Sequence, residues 1–440
     1  MLARDETARK NSVPSKRRLE RSFNNVRLSD IERAKDSPKT WEIEMRYSSR
    51  VDRLGGSSVS AWDIHVEARK AELRGEDVIL LSVGDPDFPT PASIVEAAVA
   101  ALRAGDTHYT DIRGRYELRQ AIAERQSRLS GQEVTAENVI VLGGAQNGLF
   151  SVAQCLFEEG DEVVTLDPAY LTYHASVGAS GATLVPVQLP AEKGMRLDTQ
   201  ALAAAITPNT RAFYFANPSN PTGVVMARKE LEAIADLAKE HDLWVVADEV
   251  YAELTFEAPH VSVGALPGMA ERCVTIGSLS KSHAMTGWRL GWAIAPKPLI
   301  GHMHNLSLCM LYGLPGFVMQ GALKAIAESD TVTAEMRAVY RRRRDLVFDL
   351  LSEVPGLRCA KPEAGMFMLV DVRGTGLSAY DFSWGLFQEE GVSVLDASAF
   401  GASAAGQVRL SFTLSDERLA EACRRIARFA ATRVDALAAA

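Results

Sequence analysis

The stretch Cys273-Val274-Thr275-Ile276-Gly277-Ser278-Leu279-Ser280-Lys281 sets a short apolar run directly before a lysine flanked by serines, and Arg289 follows eight positions later. A lysine that serves only solubility usually lies on a polar helix face among other charges. Burial and cationic neighbours would lower the pKa of such an amine and make it a Schiff-base nucleophile. An ordinary loop lysine fits this stretch alone equally well. The neighbouring segments therefore decide between these interpretations.

Short apolar runs like the one before Lys281 recur along the middle of the chain. Together with 273–277 they cover residues 139–142, 162–166, 182–187, 212–216, 243–247 and 291–295. Helical patterns separate several of them, most clearly at residues 229–239. Uninterrupted apolar strands between helices predict a mainly parallel sheet covered by helices on both faces. We therefore expect an α/β fold with a seven-stranded sheet.

The pattern changes after about residue 325. Strand-like runs at 366–371, 392–395 and 407–412 precede a C-terminal helix from Asp416, as in a smaller α+β domain. We assign residues 87–324 to the large domain and residues 45–86 and 325–440 to the small domain. The run Arg341-Arg342-Arg343-Arg344 is expected to be a solvated helix face.

The first 44 residues lack a sustained apolar period and carry many charges. We expect a disordered extension, with Met45 as the natural start. No run of about 18 apolar residues occurs in the sequence, so no membrane span is expected.

Composition excludes several classes of function. The chain has 440 residues and a formal net charge of −8, which disfavours general binding to nucleic acid or anionic membranes. Its five cysteines are widely spaced and include no CxxC pair. We therefore expect neither a disulfide framework nor a metal site, and we expect a cytoplasmic location.

Unusual polar residues follow four of the predicted strands, where ligands bind in open α/β sheets. Gly143-Gly144-Ala145-Gln146-Asn147-Gly148 opens a helix and can cradle a phosphate with backbone amides. Asp167-Pro168-Ala169-Tyr170 brings an aromatic ring to the sheet edge. Asn217-Pro218-Ser219-Asn220-Pro221-Thr222-Gly223 holds an amide in a rigid loop. Asp248-Glu249-Val250-Tyr251 places a carboxylate after an apolar strand, where it needs a cationic partner.

These groups suit pyridoxal 5′-phosphate (PLP), whose aldehyde needs a lysine, whose ring nitrogen needs an acid, and whose phosphate needs hydrogen-bond donors. The segments around Asn220, Asp248 and Lys281, with Gly287-Trp288-Arg289-Leu290-Gly291, resemble the signature set of the class I aminotransferases. The resemblance runs from about residue 47 to the end. It implies an aspartate-aminotransferase-like fold in which the large domain binds PLP.

The resemblance also implies a role for individual residues. Lys281 is the catalytic residue, which binds the aldehyde and transfers the proton. Asp248 pairs with the ring nitrogen, Asn220 and Tyr251 hold the ring phenolate oxygen, and Tyr170 stacks on the ring. The residues that match phosphate-binding positions are Ala145, Gln146, Ser278, Ser280 and Arg289.

The substrate side is implied in the same way. Arg409 matches the arginine that binds the substrate α-carboxylate in bidentate fashion, with Gly84 and Asn220 beside it. Tyr109 matches a phosphate-binding tyrosine supplied by a second subunit, which implies a homodimer. Two positions depart from the usual pattern: Tyr170 stands where many members have Trp or Phe, and Ala145 stands where others have Ser, Thr or Lys.

A finer likeness concerns the substrate. The segments that are similar to bacterial arginine–pyruvate aminotransferases are residues 61–65, 81–88, 280–289, 308–313 and 404–406. We therefore expect L-arginine and pyruvate as substrates, with 5-guanidino-2-oxopentanoate and alanine as products. Asp63 and Asp85 are candidates for binding the guanidinium group.

Other functions on the same scaffold remain open from the sequence. The enzyme could use aspartate, alanine or aromatic amino acids, or it could be a PLP-dependent lyase. A transcription factor with an aminotransferase-like domain is disfavoured, because 44 unpatterned residues are too few for a DNA-binding domain.

Overall fold

The computed structural model describes residues 48, 51–54 and 62–439. The expected disordered extension over residues 1–44, the start at Met45 and the likeness at Ala61 lie outside these residues. Within the described part of the chain, no helix is long and apolar enough to cross a membrane.

The α-helices of the described residues are distributed along the whole chain. They are α1 (Asp63–Leu73), α2 (Ala92–Arg103), α3 (Tyr116–Ser130), α4 (Ala145–Leu156), α5 (Tyr173–Gly178), α6 (Thr199–Ala204), α7 (Arg228–Glu240), α8 (Lys297–Met310), α9 (Gly316–Leu351), α10 (Ala379–Glu390) and α11 (Asp416–Ala439).

The strands concentrate in the middle of the chain and near its end. They are β1 (Ile79–Leu80), β2 (Val139–Leu142), β3 (Glu162–Asp167), β4 (Thr183–Gln188), β5 (Thr210–Ala216), β6 (Trp244–Asp248), β7 (Cys273–Ser278), β8 (Gly291–Ile294), β9 (Arg358–Cys359), β10 (Phe367–Asp371), β11 (Val392–Ser393), β12 (Leu395–Asp396) and β13 (Gln407–Ser411).

A seven-stranded sheet has the order β2-β8-β7-β6-β5-β3-β4. Strand β8 is antiparallel to both of its neighbours, and the other pairings are parallel. The predicted α/β fold with a mainly parallel seven-stranded sheet is confirmed.

Both faces of this sheet are buried, which explains its uninterrupted apolar strands. Successive residues of a strand point to opposite faces. In β6, Val245 packs in one core cluster with Ile234 of α7, whereas Val246 packs in another cluster with Leu149 of α4. Helices on both faces require apolar residues at every position of a central strand.

Two smaller sheets occupy the rest of the fold. Strands β12-β13-β10-β9 form an antiparallel sheet, and β1 pairs with β11 in parallel. The single strand expected at 392–395 is wrong. The chain there passes from the sheet of β11 to that of β12, and the ladder breaks at Val394.

Helix α9 contains 36 residues and contributes to two cores. Its first half buries Met319 and Ala322 in the cluster beside β2 and β8, and its second half buries Tyr340 and Val347 in the cluster around β10 and β13. The domain boundary that we predicted between residues 324 and 325 falls inside this helix, and the domain assignment stays a prediction.

The arginine run on α9 is not wholly solvated, as we had expected. Arg343 and Arg344 are only 6% and 2% exposed. Arg343 forms a bidentate pair with Asp87, with N–O distances of 2.7 and 2.8 Å, and Arg344 pairs with Glu257. The expectation is wrong for these two residues because four consecutive residues cover most of a helix circumference.

Candidate active site

A cavity of about 400 Å³ opens at the carboxyl ends of the central strands. The predicted site residues that line it are Gly84, Ala145, Gln146, Tyr170, Asn220, Asp248, Tyr251, Ser278, Ser280, Lys281 and Arg289. Residues that sequence reasoning did not single out for the site also line it, among them Leu149, Val250 and Thr286. The topology thus gathers residues from six separate segments of the chain at one place.

Lys281 follows β7 and is largely enclosed. Its Nζ donates a hydrogen bond to the carbonyl oxygen of Gly84 at 2.6 Å. Burial is the main reason that the pKa of its amine is lowered to about 8, and Arg409 and Arg289 act in the same direction while Asp85 opposes them. A substantial fraction of this amine is therefore neutral and nucleophilic near neutral pH.

Asp248 ends β6 and is 7% exposed. Its Oδ2 accepts a hydrogen bond from the Tyr173 hydroxyl at 2.9 Å, and its Oδ1 lies 3.3 Å from the Val250 amide. Burial raises the pKa of Asp248 to about 6, although the Tyr173 hydrogen bond lowers it. No residue in the described chain forms an ion pair with Asp248. A cationic group in the cavity would compensate this buried carboxylate.

The turn into α4 brings the Arg289 guanidinium and β8 close to the first backbone amides of the helix. Gly144 precedes the helix with φ +90°, and a Cβ there would lie 2.5 Å from the Arg289 guanidinium. A Cβ on Gly291 would lie 2.6 Å from the Ala145 nitrogen. The two glycines therefore permit the close approach of β8 and Arg289 to the start of α4, where amides can bind an anion.

The Gln146 side chain is held by its neighbours. Its Oε1 accepts from the Thr172 hydroxyl at 2.6 Å, and its Nε2 donates to the Ser176 hydroxyl at 3.0 Å. The group that Gln146 can offer to a phosphate is thus its backbone N–H.

Ser278, Ser280 and Arg289 line the same cavity as the α4 turn. The Ser278 hydroxyl is 2.9 Å from the Ser280 hydroxyl and accepts from the Ser280 amide at 3.0 Å. Arg289 adopts φ +54° and donates to the Thr286 carbonyl at 2.7 Å. Hydroxyl, amide and guanidinium donors thus surround one space, as phosphate binding requires.

Arg409 lies on β13, next to the cavity, and is 7% exposed. Its Nη1 donates to Asn220 Oδ1 and its Nη2 donates to the Ser82 carbonyl, both at 3.1 Å. The guanidinium carbon lies 4.9 Å from the Phe400 ring centre and 5.5 Å from that of Phe367. Its Nε is buried without a hydrogen-bond partner in the described residues.

Two aromatic residues complete the wall of the cavity. Tyr170 contacts the edge of Tyr173, with ring centres 5.7 Å apart, and Tyr251 contacts Phe367 at 5.2 Å. Burial raises the pKa of both Tyr170 and Tyr251, so their hydroxyls stay protonated as donors.

Tyr109 does not join this group within the chain. It is 88% exposed, and its ring lies 4.8 Å from that of Tyr312.

Sequence reasoning missed Tyr173, whose hydroxyl donates a hydrogen bond to Asp248. The signal that could have indicated it is a second tyrosine three positions after Tyr170, in the same segment that follows Pro168.

The side chains fit PLP. Asp248 is a buried acid without a cation, Arg409 has a buried donor without an acceptor, and glycines at the α4 turn let the Arg289 guanidinium lie beside the start of the helix. These features match a ring nitrogen, a substrate carboxylate and a phosphate, respectively.

Comparison with known proteins agrees with this chemistry. Residues 76–426 match the family model for aminotransferase class I and II. The chain is 53% identical to an arginine–pyruvate transaminase of Pseudomonas aeruginosa. The alignment spans 387 residues and covers 88% of this chain and 98% of that protein. It is 37% identical to an aspartate aminotransferase of Musicola paradisiaca over 86% of this chain and 95% of the relative.

A solved structure shows the same fold. Aspartate aminotransferase from Thermus thermophilus with maleate superposes with a TM-score of 0.83 at 36% identity, covering 88% of this chain and 100% of that chain. Sequence, fold and site geometry agree. The chain belongs to the class I and II aminotransferases and is a PLP-dependent transaminase.

Proposed function

We propose that Lys281 is the catalytic residue of this transaminase. Bound PLP supplies an aldehyde carbon and an electron-withdrawing ring. With PLP bound, Lys281 Nζ would hold the aldehyde carbon until the substrate amine displaces it, and the freed Nζ would then move the proton from the substrate Cα to that carbon. The position of this amine in the cavity, 2.6 Å from the Gly84 carbonyl oxygen, is the observation that carries the assignment, and burial lowers its pKa to about 8, which suits an acid–base group.

The remaining polar residues bind and orient the cofactor. Asp248 holds a proton on the ring nitrogen, with Tyr173 fixing the carboxylate. Asn220 and Tyr251 donate to the ring oxygen, and Tyr170 packs on the ring face. The phosphate is held by the residues around the α4 turn, namely Ala145, Gln146, Ser278, Ser280 and Arg289.

Arg409 binds the α-carboxylate of both substrates, with Asn220 and the backbone of Gly84 beside it. Its unpartnered Nε supports this role. A planar guanidinium can offer two parallel N–H donors to a carboxylate.

We infer that L-arginine is the amino donor and pyruvate the acceptor, giving 5-guanidino-2-oxopentanoate and alanine. The relative from Pseudomonas aeruginosa supports this inference. Asp85 also supports it, because this acid lines the cavity near Lys281, whereas Asp63 begins α1 on the surface. Asp85 is therefore the proposed partner of the guanidinium group.

The test compares L-arginine with L-citrulline, which has nearly the same shape and a neutral side chain. PLP-loaded protein is mixed with one amino acid at a time, and loss of the aldehyde absorbance is followed in a single turnover. We expect arginine to react at least about tenfold faster than citrulline, alanine, aspartate or phenylalanine. Equal rates for arginine and alanine would refute the substrate assignment. Ammonia release without an added 2-oxo acid would instead indicate a lyase.

We also propose a cytoplasmic homodimer in which Tyr109 reaches the site of the second subunit. Exposed apolar side chains support this, because Tyr109 contacts the exposed Tyr312, and Leu308, Met310 and Leu311 just before Tyr312 are exposed as well. All five cysteines are free, which suits a reducing compartment. Sedimentation at several concentrations tests the oligomer, and a monomer with full activity would contradict it.

A further inference from the structure

The carboxylate of Asp167 joins the seven-stranded sheet to the segment before β13. Asp167 ends β3 and is 4% exposed. Its Oδ2 accepts from the Ala402 amide at 3.0 Å, and its Oδ1 accepts from the Ser403 amide at 3.1 Å. Two residues later, the Ala169 amide donates to the Phe400 carbonyl at 2.8 Å. The end of β3 thus fixes the main chain of residues 400–403 by three hydrogen bonds.

Gly401 makes this contact possible. Its φ is +142°, in a region that side chains rarely adopt, and a Cβ on it would overlap Asp167 Oδ1. The carboxylate therefore fills the space that a side chain at position 401 would need.

The fixed segment carries Phe400, whose ring contacts Arg409. The Arg409 guanidinium also contacts the Phe367 ring, while its Nη1 and Nη2 donate to Asn220 and Ser82 and its Nε has no partner in the described residues. Ring contacts define a distance and a plane but no hydrogen-bond geometry. The plane of the guanidinium is therefore defined jointly by its hydrogen bonds to Asn220 and Ser82 and by the position in which the main chain holds Phe400.

Keeping Asp167 buried is costly. Its carboxylate has no ion pair within the described residues, and burial raises its pKa although the amides of Ala402 and Ser403 lower it. Two backbone amides and no cation stabilise this carboxylate, so its burial is only partly compensated and is consistent with a role beyond stability. We propose that Asp167 is a positioning residue for substrate binding, acting through residues 400–403 and Phe400 on the guanidinium plane of Arg409. This inference rests on the proposed role of Arg409 in binding the α-carboxylate.

Asp167→Asn tests the inference with little change in shape. Its amide retains one acceptor and turns a donor toward a backbone N–H. We expect KM to rise about tenfold for the amino acid and by a similar factor for the 2-oxo acid, because both carboxylates bind Arg409. The value of kcat and the absorbance of bound PLP should change little, since the cofactor contacts are intact.

Asp161→Asn is the matched control. Asp161 precedes the same strand, is 7% exposed and accepts from the Glu158 amide at 2.9 Å, but it lies at the other end of β3 and also pairs with Arg211 at 2.8 Å, so its loss should cost at least as much stability. A loss of stability alone would affect both variants, whereas the paired rise in KM should appear only with Asp167→Asn.

Gly401→Ala disturbs the same contact from the side of the 400–403 segment, because the new Cβ would overlap the Asp167 carboxylate. It should raise both KM values as Asp167→Asn does, and the double variant should be no worse than the poorer single one. It also serves as the deciding variant if Asp167→Asn does not fold.

Arg409→Lys distinguishes a failure of the proposed role of Arg409 from a failure of the positioning role of Asp167. If Arg409→Lys leaves both KM values unchanged, the proposed function fails. If Arg409→Lys raises them while Asp167→Asn and Gly401→Ala do not, only the positioning role of Asp167 is overturned. A rise in KM for one substrate alone would also overturn it.

Discussion

The amine of Lys281 and the carbonyl oxygen of Gly84 are 2.6 Å apart, although 197 positions separate the two residues in the chain. The partner of the buried amine is thus a neutral group. A carboxylate in that position would stabilise the ammonium form and raise the pKa of Lys281. The carbonyl instead holds the amine in the cavity while burial lowers its pKa to about 8.

This arrangement predicts a pH dependence for the uptake of PLP by the cofactor-free protein. Only the neutral amine attacks the aldehyde, and lowering the pH below about 8 converts it to the ammonium form. The second-order rate of uptake should therefore rise with pH and level off above about 8. Stopped-flow absorbance measures it, with Lys281→Ala as the control that gives no covalent signal. A rate that is flat between pH 6 and 9 would contradict the assigned pKa.

Tyr173→Phe should impair Asp248 without removing it. The phenol donates to Asp248 Oδ2 and lowers the pKa of that carboxyl, so its loss should raise the pKa. We expect kcat to fall about three- to tenfold and the acidic limb of its pH profile to move to higher pH. Tyr214→Phe is the matched control, because the Tyr214 hydroxyl has no hydrogen-bond partner in the described residues. Equal effects of the two variants would argue against the role of Tyr173.

Asp85→Asn should lower kcat/KM for L-arginine by about tenfold, because a guanidinium group would lose its charged partner. The kcat/KM for L-citrulline and the kcat/KM for L-alanine should change much less. Asp63→Asn removes an exposed acid and should leave all three values unaltered. If Asp85→Asn slows every donor equally, Asp85 acts on Lys281 and not on the side chain of the substrate.

Gly291→Ala should destabilise the fold and weaken PLP binding together. Its Cβ would lie 2.6 to 2.8 Å from backbone atoms of Gly144, Ala145 and Gly277, none of which can rotate away. We expect a loss of about 2 kcal/mol in the free energy of unfolding. Gly301→Ala, within α8 and with no atom within 4 Å of the new Cβ, should be neutral or slightly stabilising. Denaturant titration with and without PLP measures both effects.

The central sheet could be predicted from the sequence because its strands are apolar without interruption. The predicted bounds of its seven strands differ from the observed ones by at most two residues. The residues placed at the strand ends, such as Asp248 and Asn220, converge for the same reason, since parallel strands end at one edge.

Features that depend on packing between distant segments were not predictable. The burial of Arg343 required knowing that Asp87, 256 positions away, lies against α9. The same holds for Asp167, whose partners Ala402 and Ser403 lie in a 3-10 helix before β13, 235 and 236 positions away. Local patterns define which residues are apolar, but they do not identify the partner of a buried charge.

Helix α9 has a consequence for how the molecule unfolds. At about 1.5 Å per residue its 36 residues extend about 54 Å, and the helix buries side chains in one core at its start and in another at its end. If either core unfolded, the half of the helix that packs in it would lose its contacts and fray. Because helix formation is cooperative, this fraying would destabilise the half that is still packed in the other core. The two cores are thus coupled thermodynamically, and α9 makes their melting cooperative.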